Sequence, residues 1–188
     1  SASQTLYNAT NTVLACSSGA IDSLTGELVV LPGSVSHFAD SVTSPQISGV
    51  PFSVSALLTA YDSHGNIKTN FDASGDTVVI SASNGGQMAN NILNSDTVFV
   101  NGIANLVTLG TTYTGAGGPV TFNALSASGA HGTSNPVNFS ALRCSGLTID
   151  QRTISIGDTL RGRVDIQNMG GVPVRIDNIG LWASADPW

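Results

Sequence analysis

Short runs of alternating apolar and polar residues, each ended by turn formers, set the rhythm of this chain. In 77–83 the residues Val78, Ile80 and Ala82 fall on one face, and 52–61, 97–100, 103–109, 119–125 and 135–140 read in the same way. A period of two in β-branched and aromatic residues predicts strands. The breaks Asp62-Ser-His-Gly-Asn66, Asn84-Gly-Gly86, Asn101-Gly102 and Gly115-Ala-Gly-Gly118 supply residues that tolerate positive φ in tight turns. No window keeps a 3.6-residue period over a helix length. The pattern therefore predicts an all-β chain, with an antiparallel β-sandwich at its centre.

The pattern changes near 141–145. Beyond it come short runs at 146–150 and 153–156, a long alternating run at 160–168 and a last one at 172–182. Leu160, Val164 and Ile166 share one face of the long run, with Arg161, Arg163 and Asp165 on the other. Three or four strands are too few to close a sandwich. The chain thus divides into an N-terminal strand segment (1–31), a sandwich (32–142) and a partial β domain (143–188). Two completions are open. Predicted strands at Gln4–Ala15 and Gly26–Leu31 could complete the partial domain within one chain, making the sandwich an insertion in a split domain. Alternatively, a strand from a neighbouring subunit fills the open edge. A duller reading is a fragment of a longer tandem array. Leu6, Tyr7, Trp182 and Trp188 are the candidate subunit-interface residues.

Composition sharpens this. Among 188 residues, 41% are hydrophobic, which is enough for a core. Only 10% are charged, against about 25% in an average soluble domain. Polarity rests on Ser, Thr, Asn and Gly, as in assembled or glycosylated extracellular proteins, so the expected location is extracellular or at the cell surface. The net charge is −6, and Lys68 is the only lysine. Arg143, Arg152, Arg161, Arg163 and Arg175 alternate with acids, leaving no basic face for nucleic acid. No stretch reaches the roughly 20 apolar residues of a membrane span. A removed signal peptide is the preferred explanation for Ser1 in place of Met, ahead of a trimmed chain. Cys16 and Cys144 read as one disulfide closing a loop of nearly 130 residues, stabilising by about 5 kcal/mol in the chain-entropy model. Two buried free thiols are the alternative.

The stretches Val30–Phe38, Ser44–Val54 and Ala60–Asn66 resemble the immunoglobulin-like (Ig-like) repeats of prokaryotic surface proteins, the bacterial Ig-like and invasin-type group. There a Pro-Gly linker (here Pro32-Gly33) leads into the first strand, a Gly-x-Pro-Phe start (Gly49–Phe52) follows, and an Asp-x-x-Gly-Asn turn (Asp62–Asn66) joins two strands. This resemblance covers about residues 30–141. Residues 144–183 are similar to the opening strands of adhesion-type Ig-like domains, through Gly157-Asp158-Thr159 and Asn168-Met169-Gly170, but lack that domain's later strands. The resemblance implies a structural or interaction role and carries over no catalytic residue.

Chemistry-bearing motifs are scarce. His37, His64 and His131 have no zinc-ligand spacing. No Gly-x-Ser-x-Gly elbow occurs, and Gly115–Gly118 lacks the Lys-Ser/Thr of a phosphate loop. No enzyme is expected. Asp62, Asn66, Asp72 and Asp76 crowd one loop-rich stretch and are candidate ligands for structural calcium, Asp62 and Asp76 first. The plainer reading is that they form turns. Otherwise no cofactor is expected. Asn8 and Asn138 head Asn-x-Ser/Thr sequons and are candidate glycan acceptors. Tyr7, Tyr61, Tyr113 and the two tryptophans could form a sugar platform, although the tryptophans read more readily as plugs for a core or a subunit interface. The expected function is a self-assembling structural subunit of an extracellular filament, sheath or surface layer, built by β-strand complementation. The alternative is an adhesive or carbohydrate-binding Ig-like module of a larger protein.

Overall fold

The computed structural model describes residues 3–18, 21–24, 26–149, 155, 157, 161–169, 173 and 176. Among them every regular element is a strand, so no helix is long and apolar enough to cross a membrane.

The central region is built from two layers. One is an eight-stranded sheet in the order Ile92–Leu93, Val78–Ala82, Phe122–Ser126, His131–Thr133, Val35–Val42, Ala56–Asp62, Ile103–Asn105, Phe99–Val100. Its neighbours are antiparallel except where His131 pairs with His37 in parallel. The other layer starts from Gly118–Val120, Val137–Ser140 and Gln46–Ile47. Bonds from Gly49 N to Tyr113 O (2.8 Å) and Phe52 N to Thr111 O (2.9 Å) extend it to Thr112–Thr114 and Gln87–Ala89. The chain changes layers between Val42 and Gln46, and again at Thr121.

Alternation explains the core. Ala56, Leu58, Ala60 and Asp62 point inward from one strand, and Val78 and Ile80 from another. All six phenylalanines are buried. They form two clusters: Phe38, Phe71 and Phe99, with centroids 4.7–6.3 Å apart, and Phe52, Phe122 and Phe139 around Tyr113. Edge-to-face geometry at these separations adds to plain area burial. The Asn101-Gly102 turn has φ of +51° and +79°, the mirror-image turn that two-residue hairpins favour. A side chain at Gly102 would also run into Lys68 O, 2.6 Å away.

Several expected strands are shorter than the pattern suggests: 26–31 is confined to Leu28–Val29, 97–100 to Phe99–Val100, and 52–61 begins at Ala56; three others differ for a local reason. The run at 103–109 stops at Asn105, whose side-chain oxygen accepts from Val107 N (3.1 Å) and Thr108 N (3.2 Å) and turns the chain. The run at 119–125 splits where the chain changes layers at Thr121. The expected strand Gln4–Ala15 is confined to Asn11–Thr12, with a new strand starting at Ala15. Asn11–Thr12 pairs with Leu28–Val29, and Ala15–Ser18 pairs with Ile21–Leu24, giving one interrupted hairpin.

The termini leave the sandwich at opposite poles. Val35 pairs with Asp62 and Val42 with Ala56, so the chain enters at the Asp62 end and runs away from it. Gln46–Ile47 continues beside Phe139–Ser140 in parallel, so the exit at Ala141 lies at the far end. Beyond it, Leu142–Ile149 pairs with Gly162–Asn168 in a second hairpin, with a bulge between Ser145 and Leu147.

Candidate assembly surfaces at the two poles

The entry pole is organised by Asp62, which is 1% exposed. Its carboxylate accepts four hydrogen bonds. His64 N and Asn66 N reach Oδ1 at 2.9 Å each; Gly33 N (3.0 Å) and Asn66 Nδ2 (2.9 Å) reach Oδ2. Burial pushes its pKa up, but the bonds from the Asn66 side chain and from the Gly33, Asn66 and His64 backbones outweigh this and hold it well below the usual carboxylate range. Asn66 passes the connection outward. Its Nδ2 donates to Tyr7 O (2.7 Å), and its Oδ1 accepts from Ala9 N (3.1 Å). The Tyr7 ring lies 4.8 Å from that of His64, and Lys68 Nζ donates to Pro32 O (3.4 Å). Thus one turn fixes both chain segments that flank the N-terminal hairpin. This also explains why Gln4–Thr10 forms no strand: its backbone groups at Tyr7 and Ala9 bond a side chain instead.

The exit pole is held by short contacts. Met169 N donates to Ala141 O (2.8 Å), closing the base of the C-terminal hairpin on the sandwich. Gly49, at φ +75°, lies under Met169, and a side chain there would meet Met169 O at 2.8 Å. Ser48 Oγ donates to Gly115 O (2.9 Å) and accepts from Gly115 N (3.0 Å) beneath it.

Among the described residues each hairpin is a two-stranded sheet with no third strand on either edge; the expected strands at 153–156 and 172–182 lie almost wholly outside the described residues. Val13, Val29 and Leu31 are exposed on or beside the first, and Ile149 on the second. Val164 and Ile166 are half-buried, while Arg163 pairs with Asp165 at 2.8 Å on the exposed face. An isolated two-stranded hairpin is marginal in water, and unpaired edges are templates for another strand.

The expected Cys16–Cys144 disulfide is not formed, since Cys144 is a free, exposed thiol. The two residues belong to hairpins rooted at opposite poles, separated by an eight-residue strand. That strand alone spans about 26 Å, whereas bridged Cα atoms lie within about 7 Å.

The four candidate calcium ligands fall into two pairs: Asp62 and Asn66 bond each other, and Asp76 N donates to Asp72 O (3.2 Å). Asp72 accepts from Ser74 N (2.8 Å) and Ser74 Oγ (2.7 Å), bonds that lower its pKa. Asp76 accepts from Ser128 N (2.8 Å) and Ser128 Oγ (2.7 Å). Both line an open depression beside Lys68 and Asn70. Among the described residues no three His, Cys, Asp or Glu side chains converge on one point. Asn8 and Asn138 are exposed, so both sequons present their side chains to solvent. Leu6 and Tyr7 are exposed beside the N-terminal hairpin, and Trp182 and Trp188 lie outside the described residues.

Among the buried polar residues that sequence reasoning missed, Gln46 and Asp40 stand apart. Gln46 clamps the layer crossing, donating to Thr43 O (2.7 Å) and Ser53 O (3.2 Å) and accepting from Ser53 N (3.0 Å). Asp40 is 7% exposed, and neither carboxylate oxygen has a partner. Burial pushes its pKa up to about 7. The signal was available: Asp40 sits in phase with Phe38 and Val42 on the inward face of its strand. No family model matches the chain, and no curated protein or solved structure matches it.

Proposed function

We propose that this chain is a structural, self-assembling extracellular subunit, an Ig-like module whose open hairpins are completed by strands of neighbouring copies. The observation that carries the reading is the pole-to-pole course of the chain, with a hairpin of only two strands at each end among the described residues. A module entered at one pole and left at the other transmits tension along its strands, as a filament or stalk requires. Charge does not oppose head-to-tail contact: residues 1–31 carry Asp22 and Glu27, whereas in 143–188 the five arginines are balanced by five aspartates. The free thiol of Cys144 leaves the hairpins untied to each other within one chain.

Electron microscopy of the purified chain, with a non-reducing gel run after boiling, tests this. Regular fibres or a heat-resistant ladder of oligomers are expected. A chain that remains a monomer, with both hairpins protected from hydrogen exchange on their own, overturns it.

A second reading, an adhesive or carbohydrate-binding module, is favoured by one feature. The exposed His37 ring stacks on Tyr61 at 5.3 Å and 11° on the outer face of the large sheet, the kind of flat surface on which a sugar ring packs.

A further inference from the structure

His37 and His131 lie far apart in the sequence and side by side in the fold. Their Cα atoms are partners in the parallel pair that joins His131–Thr133 to Val35–Val42, and adjacent strands lie about 4.8 Å apart. The chain neighbours Phe38 and Ala130 are buried, so alternation turns both imidazoles to the outer face, where both residues are exposed. The His37 ring lies against Tyr61, with centroids 5.3 Å apart and planes at 11°. That stack covers one face of the ring and leaves open the edge that carries its nitrogens. Among the described residues no ring nitrogen of His37 or His131 has a hydrogen-bond partner in the protein. Gly132 keeps the two strands close, since a side chain there would run into the Phe38 carbonyl.

We propose that this pair binds a first-row transition-metal ion, Cu(II) foremost, chelated by one nitrogen of each ring. Metal–imidazole bonds are about 2.0 Å long, so two nitrogens on one ion sit roughly 3 Å apart. Rings rooted on neighbouring strands reach that separation by side-chain rotation alone. Imidazole suits copper, nickel and zinc, whereas calcium and magnesium want oxygen. Among the described residues no three His, Cys, Asp or Glu side chains converge, so water completes the coordination. Two nitrogens and two waters fit the square arrangement of Cu(II), which also heads the affinity order for such ligands. The cross-strand neighbours Leu125 and Tyr61 bring no positive charge, and a net charge of −6 draws cations to the chain. The two strands meet in a single registered pair, His131 with His37. An ion held by both rings therefore clamps the sheet at its parallel seam.

Amide NMR of the full chain, titrated with Cu(II) at about pH 7.5, reads the site directly. Substoichiometric Cu(II) should broaden the amides around both His37 and His131 before any others. Equimolar Cu(II) should also raise the unfolding midpoint, because the ion favours the folded chain in which the two rings are neighbours. His37→Gln and His131→Gln each weaken Cu(II) binding more than tenfold, since a two-point attachment becomes a single one. Both side chains are exposed, so neither substitution disturbs the fold. His64→Gln, which removes an imidazole at the entry pole, leaves binding unchanged, and Mg(II) produces no shift. Cu(II) that broadens one of the two strands alone, or that binds equally well after either substitution, is held adventitiously by a lone imidazole and overturns the proposal. So does an unfolding midpoint that Cu(II) fails to raise.

Discussion

Two inward-facing aspartates on adjacent, paired strands have met opposite fates. Asp62, at the entry pole, has four N–H donors and a depressed pKa. Asp40, in the middle of the sheet, has no partner and a pKa pushed up to about 7. Residue type and burial are the same; the difference is access to free backbone donors. A turn leaves N–H groups unused by any strand ladder, and a carboxylate there completes them. Mid-strand, the ladder consumes every backbone donor, so a side chain facing the core finds only carbon. The pole thus has a charge that organises loops, while the core contains one that opposes folding.

Replacing Asp40 should give the largest effect. Its folded pKa lies above the unfolded value near 3.8, so the folded state holds the proton more tightly between those values. The Asp40 contribution to stability is then greatest below about pH 4, declines as pH rises to about 7, and is level above that. A three-unit shift corresponds to roughly 4 kcal/mol. Asp40→Val should stabilise the chain at pH 8 by up to that amount and flatten the slope between pH 4 and 7. Urea unfolding across this range measures both. A wild type of constant stability over the window would mean Asp40 has a partner, and the comparison would fail.

Asp62→Ala should act in the opposite direction and somewhat less strongly. It leaves Gly33, His64 and Asn66 N–H groups without their acceptor, a loss of about 3 kcal/mol for bonds to a charged group. Because the folded pKa is depressed, the carboxylate's contribution is present above about pH 4 and disappears as pH falls through the folded value. Wild type and Asp62→Ala should therefore converge in strong acid and diverge at neutrality. Equal stability at pH 7 would show that the turn closes without its carboxylate.

How much of this was legible follows the same division. The inward sets Val78/Ile80 and Ala56/Leu58/Ala60 were readable because a period of two and burial say the same thing. The turns at Asp62–Asn66 and Asn101–Gly102 were readable because their residues carry the required backbone freedom. For Asp62 the sequence leaves a cation ligand and a turn former both open, since it shows a carboxylate in a loop but not the N–H groups pointing at it. Two cysteines in an extracellular chain read as a pair, and their spacing along the chain says nothing about poles. Asp40 was legible in its phase with Phe38 and Val42, a local conflict between pattern and residue type. Gln46 was not, since its partners at Thr43 and Ser53 become neighbours only once the chain changes layers.

The smallest effect separates the pole's two tasks, closing its own turn and holding the N-terminal hairpin. Asn66 serves both, through Asp62 on one side and Tyr7 and Ala9 on the other. Asn66→Ala keeps the backbone bond from residue 66 to Asp62 Oδ1 and loses the side-chain bonds. The sandwich should lose about 1 kcal/mol, whereas exchange of the Ala9 amide should accelerate about tenfold or more as its acceptor vanishes. Asn66→Asp retains an acceptor for Ala9 but no donor for Tyr7 O, and it sets a second negative charge against Asp62. It should therefore slow the Ala9 amide again while weakening the turn. If both variants leave that amide protected, the hairpin is held by the Tyr7–His64 contact and the Lys68–Pro32 bond, and Asp62 organises the turn alone.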